Sequence, residues 1–172
     1  MNRRSFLSTG ITLGGLAAIS SLQIRSASFG QDSQSKSKGS NGVRKVIKTD
    51  AEWKSILTPE QYYVTRKKGT EAPYSSPLNE NHDRGVFECV GCGLPLFSSK
   101  AKFDSGTGWP SFWQAIAKES VLEDVDNSLS ATRTEVLCAR CESHLGHVFD
   151  DGPNPTGLRY CINGVALRFV KK

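Results

Sequence analysis

Two Cys-x-x-Cys pairs, Cys89/Cys92 and Cys138/Cys141, constrain this chain most, because 45 residues separate the inner members and both pairs must converge if they share one ion. Pairs of this spacing form tight knuckles, and two knuckles supply four thiolates in the closed tetrahedral coordination of a structural zinc site. Gly91 lies inside the first knuckle and Gly93 follows it, as a tight turn requires. Disulfides are the alternative, since an exported chain meets an oxidising compartment. Zinc is the stronger reading, because Cys-x-x-Cys disulfides are mostly redox devices. The expected cofactor is one structural Zn2+ per chain, held by Cys89, Cys92, Cys138 and Cys141.

Cys161 is then the one thiol left over. It sits in a run rich in β-formers, residues 159–170, which reads as a strand to the end of the chain. Alternation places Arg159, Cys161, Asn163, Val165, Leu167 and Phe169 on one face, so that a guanidinium and a carboxamide flank the thiol. A lone cysteine is commonly a buried core residue. Arg159 beside it favours the thiolate, the attacking form, and points instead to a nucleophile. His144 and His147 stand three apart in Ser-His-Leu-Gly-His, with Asp150 and Asp151 close behind to orient a ring for proton transfer. Loop histidines without such a role, or replacement zinc ligands, are the bland alternatives. The run 103–113 holds Phe103, Trp109, Phe112 and Trp113 among Gly and Pro, a composition that exposes some aromatics for binding while others pack inside.

Residues 1–30 have a positive start with Arg3 and Arg4, an apolar middle and a small-residue end, the pattern of an export signal of the twin-arginine type. That expectation makes the chain exported and periplasmic, with no stable membrane association after cleavage. Residues 31–43 offer nothing to bury and read as a disordered linker, leaving 44–172 as the domain. The charge supports this division. Residues 1–43 carry five Lys/Arg and one Asp, and the remainder carries 17 Lys/Arg against 16 Asp/Glu, too balanced for a nucleic-acid partner. Within the domain, Thr49-x-x-Glu52 and Thr58-Pro-Glu-Gln61 are capping boxes that open two short helices. Residues 69–85 read as a long surface loop, and strands are expected over 86–89, 94–97 and 131–137.

Together the motifs resemble the methionine sulfoxide reductase B family. Tyr-x-Val-Thr-Arg from Tyr62, the paired knuckles, Lys-Phe-Asp-Ser-Gly-x-Gly-Trp-Pro-Ser-Phe from Lys102, His-Leu-Gly-His-Val-Phe-Asp-Asp-Gly-Pro from His144 and Leu-Arg-Tyr-Cys-Ile-Asn-Gly from Leu158 all carry the resemblance. It implies a mainly β fold of two antiparallel sheets, tent-like, with short N-terminal helices and a zinc remote from the chemistry. It also implies reduction of methionine-R-sulfoxide, free or in oxidised proteins, with a thioredoxin-like reductant as partner. By position, Cys161 is the nucleophile, His147 the first choice and His144 the second for proton donor, and Arg159, Asn163 and Asp151 complete the catalytic set, with Trp109 against the substrate methyl. The chain departs from many members at Thr107, where they carry a resolving cysteine, so its sulfenic acid is expected to meet an external thiol. The competing reading from another class is a zinc-ribbon binding module without catalysis.

Overall fold

The computed structural model describes residues 42–172; the expected export signal, and all but the last two residues of the expected linker, lie outside the described residues. Val43 and Val46 already pack against the core. Two short helices follow, α1 (Asp50–Ile56) and α2 (Pro59–Lys67). Both start where the capping boxes place them: Glu52 N–H donates to Thr49 Oγ1 at 3.3 Å and Thr49 N–H to Glu52 Oε2 at 2.7 Å, while Gln61 and Thr58 repeat the exchange at 3.2 and 3.0 Å. Each box satisfies N–H groups that a helix of two turns cannot pair internally. Lys68, left-handed at φ 57°, ends α2 and turns the chain into the loop that leads to the first strand.

Among the described residues, nine strands form two antiparallel sheets. The smaller has the order β2 (Pro95–Ser98), β1 (Gly85–Cys89), β9 (Leu167–Lys171). The larger runs β3 (Lys102–Phe103), β4 (Ser111–Phe112), β8 (Arg159–Ile162), β7 (His144–Phe149), β6 (Arg133–Cys138), β5 (Val121–Asp126). The expected mainly β architecture of two sheets with short N-terminal helices is thus what the chain adopts. Aromatic rings fill the space between the sheets. Phe112 stacks on Phe97 at 4.4 Å between centroids and meets Phe87 edge-on at 4.9 Å, and Phe87 in turn touches Phe169 at 5.0 Å. Phe87, Phe97 and Phe112 are all fully buried, so of the aromatics in the 103–113 run, Phe112 belongs to the core.

One expectation fails in an informative way. The run after Arg159 is not a single strand: β8 stops at Ile162, a 3-10 turn takes Gly164–Ala166, and the chain then crosses to the other sheet as β9. Asn163 still reaches β7 through its N–H, but residues 164 and 165 leave the ladder because their N–H groups have a partner elsewhere. Asn163 N–H donates to the Leu145 carbonyl at 2.8 Å, and the N–H groups of Gly164 and Val165 both donate to the Glu71 carboxylate. Residues 69–84 form the expected long loop, exposed or half-buried except at Gly69 and Glu71, which are buried.

Candidate functional site

The larger sheet has a core face and a site face. In β8, Tyr160 and Ile162 are buried in the core, and alternation sends Arg159 and Cys161 to the other side, as expected. Register then assembles a row across four strands: Glu135 of β6 opposes His147 of β7, His147 opposes Cys161 of β8, and Cys161 opposes Ser111 of β4. Directly opposed residues in an antiparallel pair lie roughly 4.5–5.5 Å apart at Cα, so a thiol and an imidazole become neighbours through backbone pairing alone.

His144 and His147 are three residues apart, and a regular strand sends such a pair to opposite faces. A register shift between Val136 and Leu137 leaves Leu145 as an extra residue in β7 and re-phases the strand. The two rings consequently share a face, with centroids 5.4 Å apart. Gly146 sits inside this irregularity. A Cβ there would lie 2.1 Å from the Cys161 carbonyl oxygen, so only glycine permits β7 and β8 to approach this closely.

Each histidine is held by a carboxylate that sequence reading missed. His147 Nε2–H donates to Asp126 Oδ2 at 2.7 Å, and Arg133 Nη2 donates to the same oxygen at 2.6 Å. His144 Nδ1–H donates to Glu135 Oε1 at 2.6 Å, and Lys68 Nζ donates to Glu135 Oε2 at 2.7 Å. The expected orienting group, Asp151, does something else: it makes a two-point ion pair with Arg159, at 2.8 Å to both Nε and Nη2. That guanidinium also lies 4.4 Å over the Phe149 ring. Glu135 had a readable signal, because it alternates with Arg133 on one face of β6 while Thr134 and Val136 take the other. Asp126 had none, since only the β5–β6 pairing brings it to β7.

Thr70, Trp109, Arg133, Gly146, His147, Phe149, Cys161 and Asn163 line a cavity of about 130 Å³. Trp109, His147, Cys161 and Asn163 are therefore brought together as expected, whereas His144, Arg159 and Asp151 stand behind this wall. His144 is 3% exposed, and its Nε2 is buried without a partner. Burial pushes its pKa down, against the opposing pull of Glu135, so this ring favours the neutral form. Asp126 is held well below the usual carboxylate range by hydrogen bonds from Ser128 and then from His147, which keeps it ionised. Burial pushes the Cys161 thiol up; a hydrogen bond from Thr107 and the charge of Arg159 pull it down but do not prevail. Arg159 pulls the thiol down, as expected, and burial outweighs it. Hydroxyls line the remaining side: Thr107 Oγ1 lies 3.9 Å from Cys161 Sγ, Ser105 Oγ lies 2.8 Å from Thr107 Oγ1, and Ser111 Oγ lies 2.7 Å from Ser105 Oγ.

The four remaining cysteines converge at the other end of β6 and β7. Their sulfurs lie within 4.8 Å of one another, with Cys89–Cys141 at 3.6 Å and Cys92–Cys138 at 3.5 Å. A tetrahedral ion with Zn–S bonds of about 2.3 Å needs sulfurs about 3.8 Å apart, so the donor set fits a metal ion in both chemistry and spacing. Surrounding donors fix the knuckles: Arg66 Nη1 donates to the Cys141 carbonyl at 2.9 Å, Arg140 Nη1 to the Cys92 carbonyl at 3.3 Å, and the Ser143 hydroxyl lies 3.2 Å from Cys141 Sγ.

A half-buried thiol beside a carboxylate-bound histidine, with a separate four-cysteine cluster able to hold a metal ion, is the arrangement a thiol-dependent enzyme on a β fold would use. Comparison with known proteins gives the family. The SelR domain model matches residues 57–171. Proteins named peptide methionine sulfoxide reductase MsrB from Methanosarcina mazei and Hahella chejuensis are each 56% identical, over 128 and 125 residues. The matches cover 74% and 73% of this chain and 91% and 90% of those proteins. Another from Pseudomonas fluorescens is 56% identical over 130 residues, 76% of this chain and 100% of its own length. The chain belongs to the methionine sulfoxide reductase B family.

The raised thiol sets an expectation for reactivity. Alkylation of Cys161 by iodoacetamide, followed by mass spectrometry of its peptide, should accelerate with pH through a midpoint above the about 8.5 of a free cysteine. Replacing Arg159 by Met should move that midpoint higher still. A midpoint below 8 in the unmodified protein would contradict the dominance of burial.

Proposed function

We propose that this chain reduces the R epimer of methionine sulfoxide, free or within oxidised proteins, with Cys161 as nucleophile and His147 as proton donor. One observation carries the reading: Cys161 and His147 are cross-strand neighbours opening on one small cavity walled by Trp109, in a chain of this family. The indole offers the sulfoxide methyl an apolar face. The Cys161 thiolate attacks the sulfoxide sulfur, and charge develops on oxygen. His147, fixed by Asp126 through Nε2, has Nδ1 left to protonate that oxygen. The sulfur–sulfur bond formed by the attack and the sulfur–oxygen bond of the sulfoxide both break as the protonated oxygen passes to Cys161 sulfur, so methionine leaves reduced by two electrons and Cys161 is oxidised to a sulfenic acid. His144, buried and favouring neutrality, serves better as the partner that positions His147 than as the donor. Arg159, paired with Asp151 and packed on Phe149, favours the Cys161 thiolate through its charge.

Recycling follows from the thiol count. An external thiol displaces water from the sulfenic acid, a mixed disulfide forms, and a second thiol frees Cys161, which suits a thioredoxin-like donor. Zinc held by Cys89, Cys92, Cys138 and Cys141 supplies a crosslink between the end of β1 and the turn joining β6 to β7, with no part in the bond changes. Arg3 and Arg4 fit export of the folded, metal-loaded chain to the periplasm by the twin-arginine route. A zinc-ribbon module without catalysis would leave the carboxylate-bound histidines and the walled thiol without a purpose.

The R epimer of a peptide methionine sulfoxide should be turned over with dithiothreitol and the S epimer should not, and a single turnover without reductant should leave Cys161 heavier by one oxygen. Absence of turnover in folded, metal-loaded protein would reject the reading. Because the Thr107 hydroxyl already lies beside Cys161 Sγ, Thr107→Cys should replace that sulfenic acid with an internal 107–161 disulfide after one turnover. For the metal, elemental analysis should find about one zinc per chain, and Cys141→Ser should lower metal content and stability together, the latter on the order of several kcal/mol.

A further inference from the structure

Glu71 is 6% exposed and uses all of its polar groups, yet lies outside the set of side chains that meet the substrate. Its N–H donates to Asn163 Oδ1 at 3.0 Å, and its carbonyl accepts the Trp109 indole N–H at 3.2 Å. Its carboxylate accepts from Gly164 N–H at 2.5 Å through Oε1 and from Val165 N–H at 2.9 Å through Oε2. Asn163 Nδ2 in turn donates to the Leu145 carbonyl at 3.0 Å, in the irregular part of β7. One residue thus ties together the aromatic wall, the turn that ends the nucleophile's strand and, through Asn163, the histidine strand. Its neighbour Thr70 lines the cavity itself. The turn is packed against the same loop, since a Cβ on Gly164 would lie 2.0 Å from Ser76 Oγ.

We infer that Glu71 is a positioning residue that sets the place of the Trp109 indole over Cys161, and through it the cavity's preference for a methyl group on the reacting sulfur. The inference rests on the sulfoxide-reducing reading of the cavity. The carboxylate is suited to the task because two adjacent main-chain N–H groups require two acceptors. Glutamine has one acceptor oxygen and would turn an NH2 group toward an N–H, donor against donor. Aspartate keeps both oxygens but is one methylene short. Either change frees the loop, and the indole loses the fixed carbonyl that holds it.

The test combines a spectroscopic readout with a selectivity readout on the full, metal-loaded protein. In 15N-labelled Glu71→Gln and Glu71→Asp, the Trp109 indole resonance, assigned with Trp109→Phe, should shift and exchange faster with water. The ratio of kcat/KM for methionine-R-sulfoxide over ethionine-R-sulfoxide should fall ~10-fold in Glu71→Gln, mainly through KM, and less in Glu71→Asp; one methylene in a formed pocket is worth roughly that much discrimination. Adding Glu71→Gln to Trp109→Phe should cause little further loss of selectivity, since both act on one wall. An unmoved indole resonance with an unchanged methyl/ethyl ratio would overturn the inference, whatever happened to thermal stability. If Glu71→Gln does not fold, Glu71→Asp decides by the same two criteria. Failure of the wild-type protein to reduce either sulfoxide would reject the functional reading instead, and the resonance would still decide whether Glu71 positions Trp109.

Discussion

The pairing of β7 with β8 is the constraint on which the site depends. Backbone hydrogen bonds set opposed residues at a nearly fixed separation, so placing His147 against Cys161 requires no long-range search by flexible side chains. The pairing is close because Gly146 has no side chain, and it is sided because the irregularity at Leu145 returns His144 and His147 to one face. The aromatic stack of Phe87, Phe97 and Phe112 fills the opposite side of the pair and holds the sheet rigid from beneath. A thiol and an imidazole on such a base are held in place by the sheet, so little ordering of either is left to be done when a ligand arrives.

Burial governs the electrostatics of the site more than any single charge. Cys161 has a guanidinium nearby and a hydroxyl beside it, and its thiol is still pushed up. The main reason is burial, which disfavours the thiolate; Asp151, paired with Arg159, adds a smaller push in the same direction. The same division appears at the histidines. His144 lies deep and is pushed toward neutrality, whereas His147 reaches the cavity and rests on a carboxylate kept ionised by Ser128. Two imidazoles of one motif thereby stand in different surroundings, one ring lining the cavity and the other packed behind it on Glu135.

Much of this was readable in the chain, and the unread parts share a cause. Capping at Thr49 and Thr58, the four-cysteine cluster, and the outward face of Arg159 and Cys161 depend on neighbours a few residues away or on spacings with one good solution. Asp126, Glu71 and the break after Ile162 depend on partners far along the sequence. The clearest case is Asn163. Alternation assigned it correctly to the neighbourhood of Cys161 for the wrong reason, because the strand ends before it and Glu71, 92 residues earlier, takes the N–H groups that would have continued the ladder. The net direction of the Cys161 shift was hidden likewise, since desolvation is a property of the assembled cavity and has no local signature.

The four-cysteine cluster and the row Glu135–His147–Cys161 are separate in chemistry and joined in mechanics. β6 ends at Cys138 and β7 begins at His144, so the knuckle Cys138–Cys141 is the turn that presents both strands to each other. Glu135 and His144 sit within a few residues of that turn, and the register shift that aligns the histidines lies between it and Glu135. Arg66 of α2 reaches the same knuckle, which adds the N-terminal helices to the joint. Without a crosslink the cluster would pack four thiols with only weak hydrogen bonds among them, a poor basis for fixing a β-turn. With one, strand register is enforced at the end of the hairpin opposite the Asp126–Arg133 pair, and the row Glu135–His147–Cys161 is held from both ends. The knuckle sulfurs lie close enough together to share one ion, whereas the Cys161 sulfur stands apart from them on a cavity wall.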